Sequence, residues 1–319
     1  MRKPIALTVS RPTTDALLDA LAALLLGCFG AWLFMHIHVP AETSKLHEPT
    51  FQHILAGEGP APDQYRLLQN HLIGLLYRVM DLYHSVFWFT TASLGGAIFL
   101  LFRHAYPNMP RRLKHYLAIA LALVYPVVMY NGPRGDTAFI LLLALGLCIA
   151  IDREQKPLFV VLLILMAFTR ADVALFAALF ALLWKPQWFG VVLWALMVAL
   201  PVGIQGTLQF FVFPGARYYC NVVMLEENLR LERFAGTPAF MLAGALLILF
   251  RTSIFDFTRW LFALSRRGKL LVVLFASYSA AILVVAIAAE TRLFLPLAPF
   301  VLLLSEAYRH SKAEDILPR

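Results

Sequence analysis

The chain is poor in charge. Only 14% of its 319 residues are Asp, Glu, Lys or Arg, against 61% hydrophobic residues. A soluble domain of this size carries about 25% charged residues, so a water-exposed globule is excluded. Cysteine is equally scarce: Cys28 and Cys148 fall in apolar runs and Cys220 in a loop. No Cys-x-x-Cys or Cys/His spacing exists, which removes a disulfide framework and a zinc ribbon. There is no internal repeat, no low-complexity linker, and no run of like charges long enough for a nucleic-acid partner. The net charge of +8 is spread in short basic clusters between apolar runs, the pattern of the positive-inside rule.

What is present is apolar sequence in runs near the roughly 20 residues that cross a hydrocarbon core of about 30 Å. Backbone polar groups in lipid must bond internally, so these runs are helices. The expected fold is all-α, a single-domain polytopic transmembrane bundle over residues 1–319. About ten helices are expected, some short or re-entrant, at 15–38, 84–103, 114–131, 136–151, 157–169, 172–184, 188–212, 238–251, 269–288 and 292–308. The first run follows Arg2, Lys3 and Arg11 and passes through Leu25-Leu26-Gly27-Cys28, a partial lipoprotein cleavage box. It continues through Phe29, Trp32 and Phe34, so an uncleaved first helix is expected.

Charge bias sets the expected topology. With the N-terminus inside and ten crossings, 18 of the 27 Lys and Arg residues fall on the inner side and 9 on the outer. Were residues 159–184 a single span, the Arg251–Lys269 cluster would move outside, against the rule. Two short helices or a re-entrant pair are therefore expected there, broken at Thr169-Arg170-Ala171-Asp172. The expected location is the inner (cytoplasmic) membrane, multi-pass, with both termini cytoplasmic. Two long outer loops, 39–83 and 213–238, would cover any outward site. Residues 64–83 have the apolar spacing of an amphipathic helix.

Ionisable residues at membrane depth point to function. Four groups share the outer face: Glu48 with Gln64-Tyr65-Arg66-Leu67-Leu68; Arg134-Gly135-Asp136; Arg170-Ala171-Asp172; and Glu290-Thr291-Arg292, followed by Pro296 and Pro299. Each has a structural alternative. Arg66 is also placed as a snorkelling anchor and Asp136 as a helix cap. Arg170 and Asp172 also read as residues that merely make the turn polar, and Glu290 with Arg292 as a local pair at an interface. Taken together, Arg66, Arg134, Arg170 and Arg292 suit a phosphate, which guanidinium binds in a fork. A nearby carboxylate suits removal of an acceptor hydroxyl proton. The histidines lack metal spacing. A divalent cation, if one binds, would look first to Glu42, His47 and Glu48.

This order of features resembles the polytopic GT-C glycosyltransferases, above all their small bacterial members. The resemblance rests on an acidic first outer loop, Gln-Tyr-Arg-Leu-Leu, an Asp-led fourth helix, an Arg-x-Asp turn, and Glu-x-Arg before a Pro-containing last helix. It implies an outward active site and a polyprenyl-phosphate sugar donor. The acceptor would be a saccharide, a lipid or a protein of the cell envelope. It implies Glu48 as the catalytic base, with Glu42 second, and Arg66, Arg170 and Arg292 at the donor phosphate. Tyr65, Arg134, Asp136, Asp172 and Glu290 join them as substrate-binding candidates. Two other readings use the same arginines: a transporter or flippase for a lipid-linked or anionic solute, and a non-catalytic subunit or polymerase of envelope polysaccharide assembly. The topology makes a direct prediction. Cysteines introduced near Glu48 and Arg230 should react with an impermeant reagent from outside intact cells; reaction from the inner side alone would overturn the arrangement.

Overall fold

The computed structural model describes residues 14–38, 41–61, 63–128, 136–216, 254–285 and 294–316. Among them the chain is helical. In chain order the helices are α1 (Thr14–His38), α2 (Ala41–Leu55), α3 (Leu67–Tyr77), α4 (Leu82–Arg103), α5 (Arg111–Val128), α6 (Asp136–Asp152), α7 (Lys156–Ala167), α8 (Ala171–Trp184), α9 (Val191–Thr207), α10 (Ile254–Ala263), α11 (Ser265–Val285) and α12 (Ala298–Ile316). A single 3-10 turn, Asp63–Tyr65, precedes α3, and α9 ends in a π-helical segment, Leu208–Val212. Among the described residues, three helices are long and apolar enough to cross a membrane: Thr14–His38, Leu82–Arg103 and Val191–Val212.

Close backbone approach holds the first of these in place. In lipid, helices gain little from hiding apolar side chains, so tight van der Waals contact must supply the attraction. Along α1 the residues Ala23, Gly27, Gly30 and Ala31 are buried. A Cβ added to Gly27 would lie 2.6 Å from the Gly95 nitrogen and 2.9 Å from the Thr91 carbonyl of α4. One added to Gly30 would meet Leu94 of α4 at 2.6 Å and the Ala122 carbonyl of α5 at 3.1 Å. Small residues thus let α1 sit in the groove between α4 and α5. Phe34 and Tyr125 close the far end of that groove edge to face.

Ion pairs fix which helix ends meet. Asp19 is 5% exposed and faces Arg111 at 3.0 Å and Arg103 at 3.4 Å. Arg153 donates to the His104 carbonyl at 3.0 Å, and Lys185 pairs with Glu154 at 2.7 Å. The start of α1, the end of α4, the start of α5 and the ends of α6 and α8 therefore share one end of the bundle, here called the basic end. Tyr308 of α12 packs on Phe257 and Trp260 of α10.

The α7–α8 hairpin is short. Its helices have 12 and 14 residues, about 18 and 21 Å at 1.5 Å per residue, well under a 30 Å core. Starting from the basic end, its turn stops below the level that α1 and α4 reach, as expected of two short helices or a re-entrant pair. The segment between α1 and α4 differs more from expectation. It contains α2 as well as α3, and α3 ends at Tyr77 rather than near Tyr83. Asp81 starts a new helix by accepting from the His84 backbone N–H, which also holds its carboxyl below the usual range. Helix α2 carries Pro49 and is polar overall, so it offers no apolar run to mark it in the sequence. The last helix starts at Ala298, later than expected. A 3-10 turn over Leu295–Leu297 comes first, and Pro299 then occupies an early helical position where its missing N–H costs nothing.

Replacing Gly27 by Ala should separate α1 from α4, because the atoms it would strike are backbone and cannot swing aside. Overpacking of this kind costs about 1–3 kcal/mol. A thermal denaturation series in detergent should show a lowered transition; an unchanged one would remove this contact from the account.

Candidate functional site

The segment Gln64–Leu68 is a junction in which each described attachment goes to a different element. The Gln64 side chain accepts from the Gly59 N–H at 2.6 Å and donates to the Ile54 carbonyl at 3.0 Å, closing the chain after α2. Tyr65 turns the other way. Its ring packs with Ala61 and Leu208, and its hydroxyl donates to the Ala216 carbonyl at 3.4 Å. The Leu68 N–H donates to the Phe168 carbonyl at 3.3 Å. That donor belongs to the first turn of α3 and that acceptor to the end of α7, both positions that a helix leaves unsatisfied. The bond seats the start of α3 on the sunken α7–α8 turn.

Arg66 faces a cavity of about 90 Å³, roughly three waters' share of liquid volume. Its wall combines His47, Thr50, Phe51 and Ile54 of α2, spaced along one helix face, with Asp63, Arg66, Gln69, Asn70 and Ile73, and with Val86 of α4. Arg66 is 11% exposed and Asp63 3%, with 3.6 Å between their charged atoms. Asn70 donates to the Asp63 carbonyl at 2.8 Å. Buried Asp63, Gln69 and Asn70 thus share the inner wall with buried Ile54, Ile73 and Val86, while His47 and Thr50 lie exposed at the mouth.

Arg170 and Asp172 lie just beyond Phe168. The guanidinium forks the carboxylate: Nε donates to Oδ1 at 3.0 Å, and Nη2 donates to Oδ2. Tyr278 of α11 completes the group, donating to Asp172 Oδ2 at 2.8 Å and accepting from Arg170 Nη2 at 3.3 Å. Arg170 is 11% exposed and Asp172 48%, so the pair opens outward on its acidic side. Asp172 also sits in the first turn of α8, where a negative charge is favoured. Behind it, Phe176 and Phe180 pack with Phe275 and Phe300.

Of the expected site residues, the fold brings the Arg66 and Arg170 groups to either side of one backbone bond. Glu48 is beside the cavity and not in its wall. It follows His47 on α2 and accepts from the Tyr77 hydroxyl, which Gln52 also contacts. The bond to Glu48 pushes the Tyr77 phenol above its ordinary range. Tyr65 faces away into its own apolar cluster. Asp136 begins α6, but its side chain, the side chain of Glu42, and Arg134, Glu290 and Arg292 lie outside the described residues, as do most of the loop expected at 213–238 and the helix expected at 238–251. Among the described residues, no group of three or more His, Cys, Asp or Glu could hold a metal ion. Sequence reasoning did not select Asp63, Gln69, Asn70 or Tyr278. The available signals were polar Gln69-Asn70 at the start of an apolar helix and Ser277-Tyr278-Ser279 interrupting another. Compared with known proteins, the chain matches no family model, no curated protein and no solved structure.

The Arg170 group predicts an order of effects. Tyr278→Phe removes one hydroxyl and leaves the fork, so it should cost about 1 kcal/mol. Asp172→Ala leaves a largely buried guanidinium without its carboxylate and should cost more. Equal melting temperatures for the two variants would refute a structural role for the fork.

Proposed function

We propose that this protein transfers a sugar from a polyprenyl-phosphate donor to an acceptor at the outer face of the membrane. One observation carries the reading: the Leu68–Phe168 backbone bond ties the segment whose Arg66 lines a cavity with buried Asp63, Gln69 and Asn70 to the turn that carries Arg170. In this reading Arg66 binds the donor phosphate in place of its longer contact to Asp63, and Arg170 lends positive potential nearby. The bond between the sugar's anomeric carbon and the phosphate oxygen breaks, and the acceptor oxygen bonds to that carbon. The acceptor's proton passes to Glu48, with Tyr77 orienting the carboxylate, and polyprenyl phosphate leaves with the bonding pair. Glu42 stands as second choice of base, and Tyr65, Arg134, Asp136, Asp172, Glu290 and Arg292 as further substrate-binding residues.

The test uses full-length protein in proteoliposomes with radiolabelled polyprenyl-phosphate glucose and mannose as probes. Glu48→Gln should lower sugar transfer by about a hundredfold or more, the scale of a lost general base, with donor binding unchanged. Arg66→Lys should weaken donor binding about tenfold, because the fork is lost. Full transfer by Glu48→Gln would sink the base assignment. Movement of intact donor between leaflets, with no bond broken, would establish transport instead.

A further inference from the structure

A second feature stands apart from the cavity, at the basic end. Helices α10 and α11 meet at a sharp elbow. A Cβ added to Gly268 would lie 1.7 Å from the Leu261 carbonyl, so α10 is folded tightly onto the first turn of α11. The inner face of α10 is accounted for. Leu261 is buried, and Phe257 and Trp260 pack on Tyr308 of α12. The outer face is not. Phe255 is 78% exposed and Phe262 46%. Arg259 on α10, and Arg266, Arg267 and Lys269 just past the elbow, are exposed as well.

We infer that this elbow is a docking surface for the anionic phospholipid headgroups of the adjoining leaflet. The pattern is that of an interfacial helix, with aromatic side chains for the acyl boundary and cations for the headgroups. Three observations favour a leaflet over another polypeptide. The exposed aromatics and the cations lie on one short helix and the turn that follows it. Past the cations of its first turn, α11 continues directly as the apolar run Leu270–Val285, about 24 Å of helix, so the basic-to-apolar boundary falls at the elbow. The elbow thus sits where headgroups are. Its charge is also complementary to theirs, with four exposed cations against the single carboxylate of Asp256 within α10. The Gly268 contact holds α10 at a fixed angle, so the aromatic and cationic groups act as one rigid surface.

The test places a bimane label at Phe255→Cys or Phe262→Cys in full-length protein whose Cys28, Cys148 and Cys220 are replaced by Ser. Each labelled protein is reconstituted in nanodiscs with brominated phosphatidylcholine or brominated phosphatidylglycerol. The label should be quenched by both lipids and at least twofold more by phosphatidylglycerol, a preference that high salt removes. Combining Arg266→Gln, Arg267→Gln and Lys269→Gln should abolish that preference while leaving quenching by phosphatidylcholine intact, which also reports that the elbow has kept its fold. Arg112→Gln, which removes an exposed cation at the same end of the bundle, should leave the preference unchanged. Equal quenching by the two lipids would overturn the inference. So would quenching by aqueous iodide in place of lipid, or protection from both, which would mean that polypeptide covers the face.

Discussion

A backbone N–H or C=O that meets neither water nor a partner inside a bilayer costs several kcal/mol, and much of this architecture follows from that cost. Long helices satisfy it internally. The α7–α8 hairpin cannot do so at its turn, where α7 ends and its last carbonyls have no partner further along the helix. The start of α3 has the complementary problem, with donors that no residue of its own helix can accept from. The bond from Leu68 to Phe168 answers both at once. It also explains why the covering segment enters the bundle instead of lying flat across the top.

Rigid and adaptable parts are segregated. Against α4 and α5, α1 is locked by contacts that leave no space for even one methyl group, and Asp19 ties its start to the ends of its neighbours. At the far end the covering segment is held by side-chain and single backbone hydrogen bonds, each worth about 1 kcal/mol net.

Much of this fold was legible in the sequence. Lipid imposes a one-dimensional rule, and apolar run length and basic bias both report on it directly. That rule located α1, α4, α6, α8 and α9 to within a few residues, and it required the break at Arg170 that the hairpin shows. It was silent on α2 and α10, which are too short and too polar, or too close to basic residues, to register as spans. In the candidate site the sequence pointed to residue types but not to their pairings. Arg170 and Asp172 stood two apart in the sequence, yet Tyr278 joins them from more than a hundred residues away. Glu48 was selected as an acidic residue in the right loop. Which side of α2 it occupies depends on a helix whose existence the sequence did not announce.

The junction at Gln64–Leu68 distributes sequence constraint unequally. The hydrogen bonds that tie it to α2, to the end of α7 and to the stretch after α9 meet main-chain groups there: the Ile54, Phe168 and Ala216 carbonyls and the Gly59 N–H. Main-chain groups are present whatever side chain the residue bears, so Phe168 and Ala216 can drift without loss of these bonds. Gln64 has no such latitude, since only a carboxamide of that length both donates to Ile54 and accepts from Gly59. Tyr65 needs both its ring and its hydroxyl. Mutational tolerance at this crossing of four elements therefore depends on which side of each bond a residue supplies, rather than on how deeply it is buried.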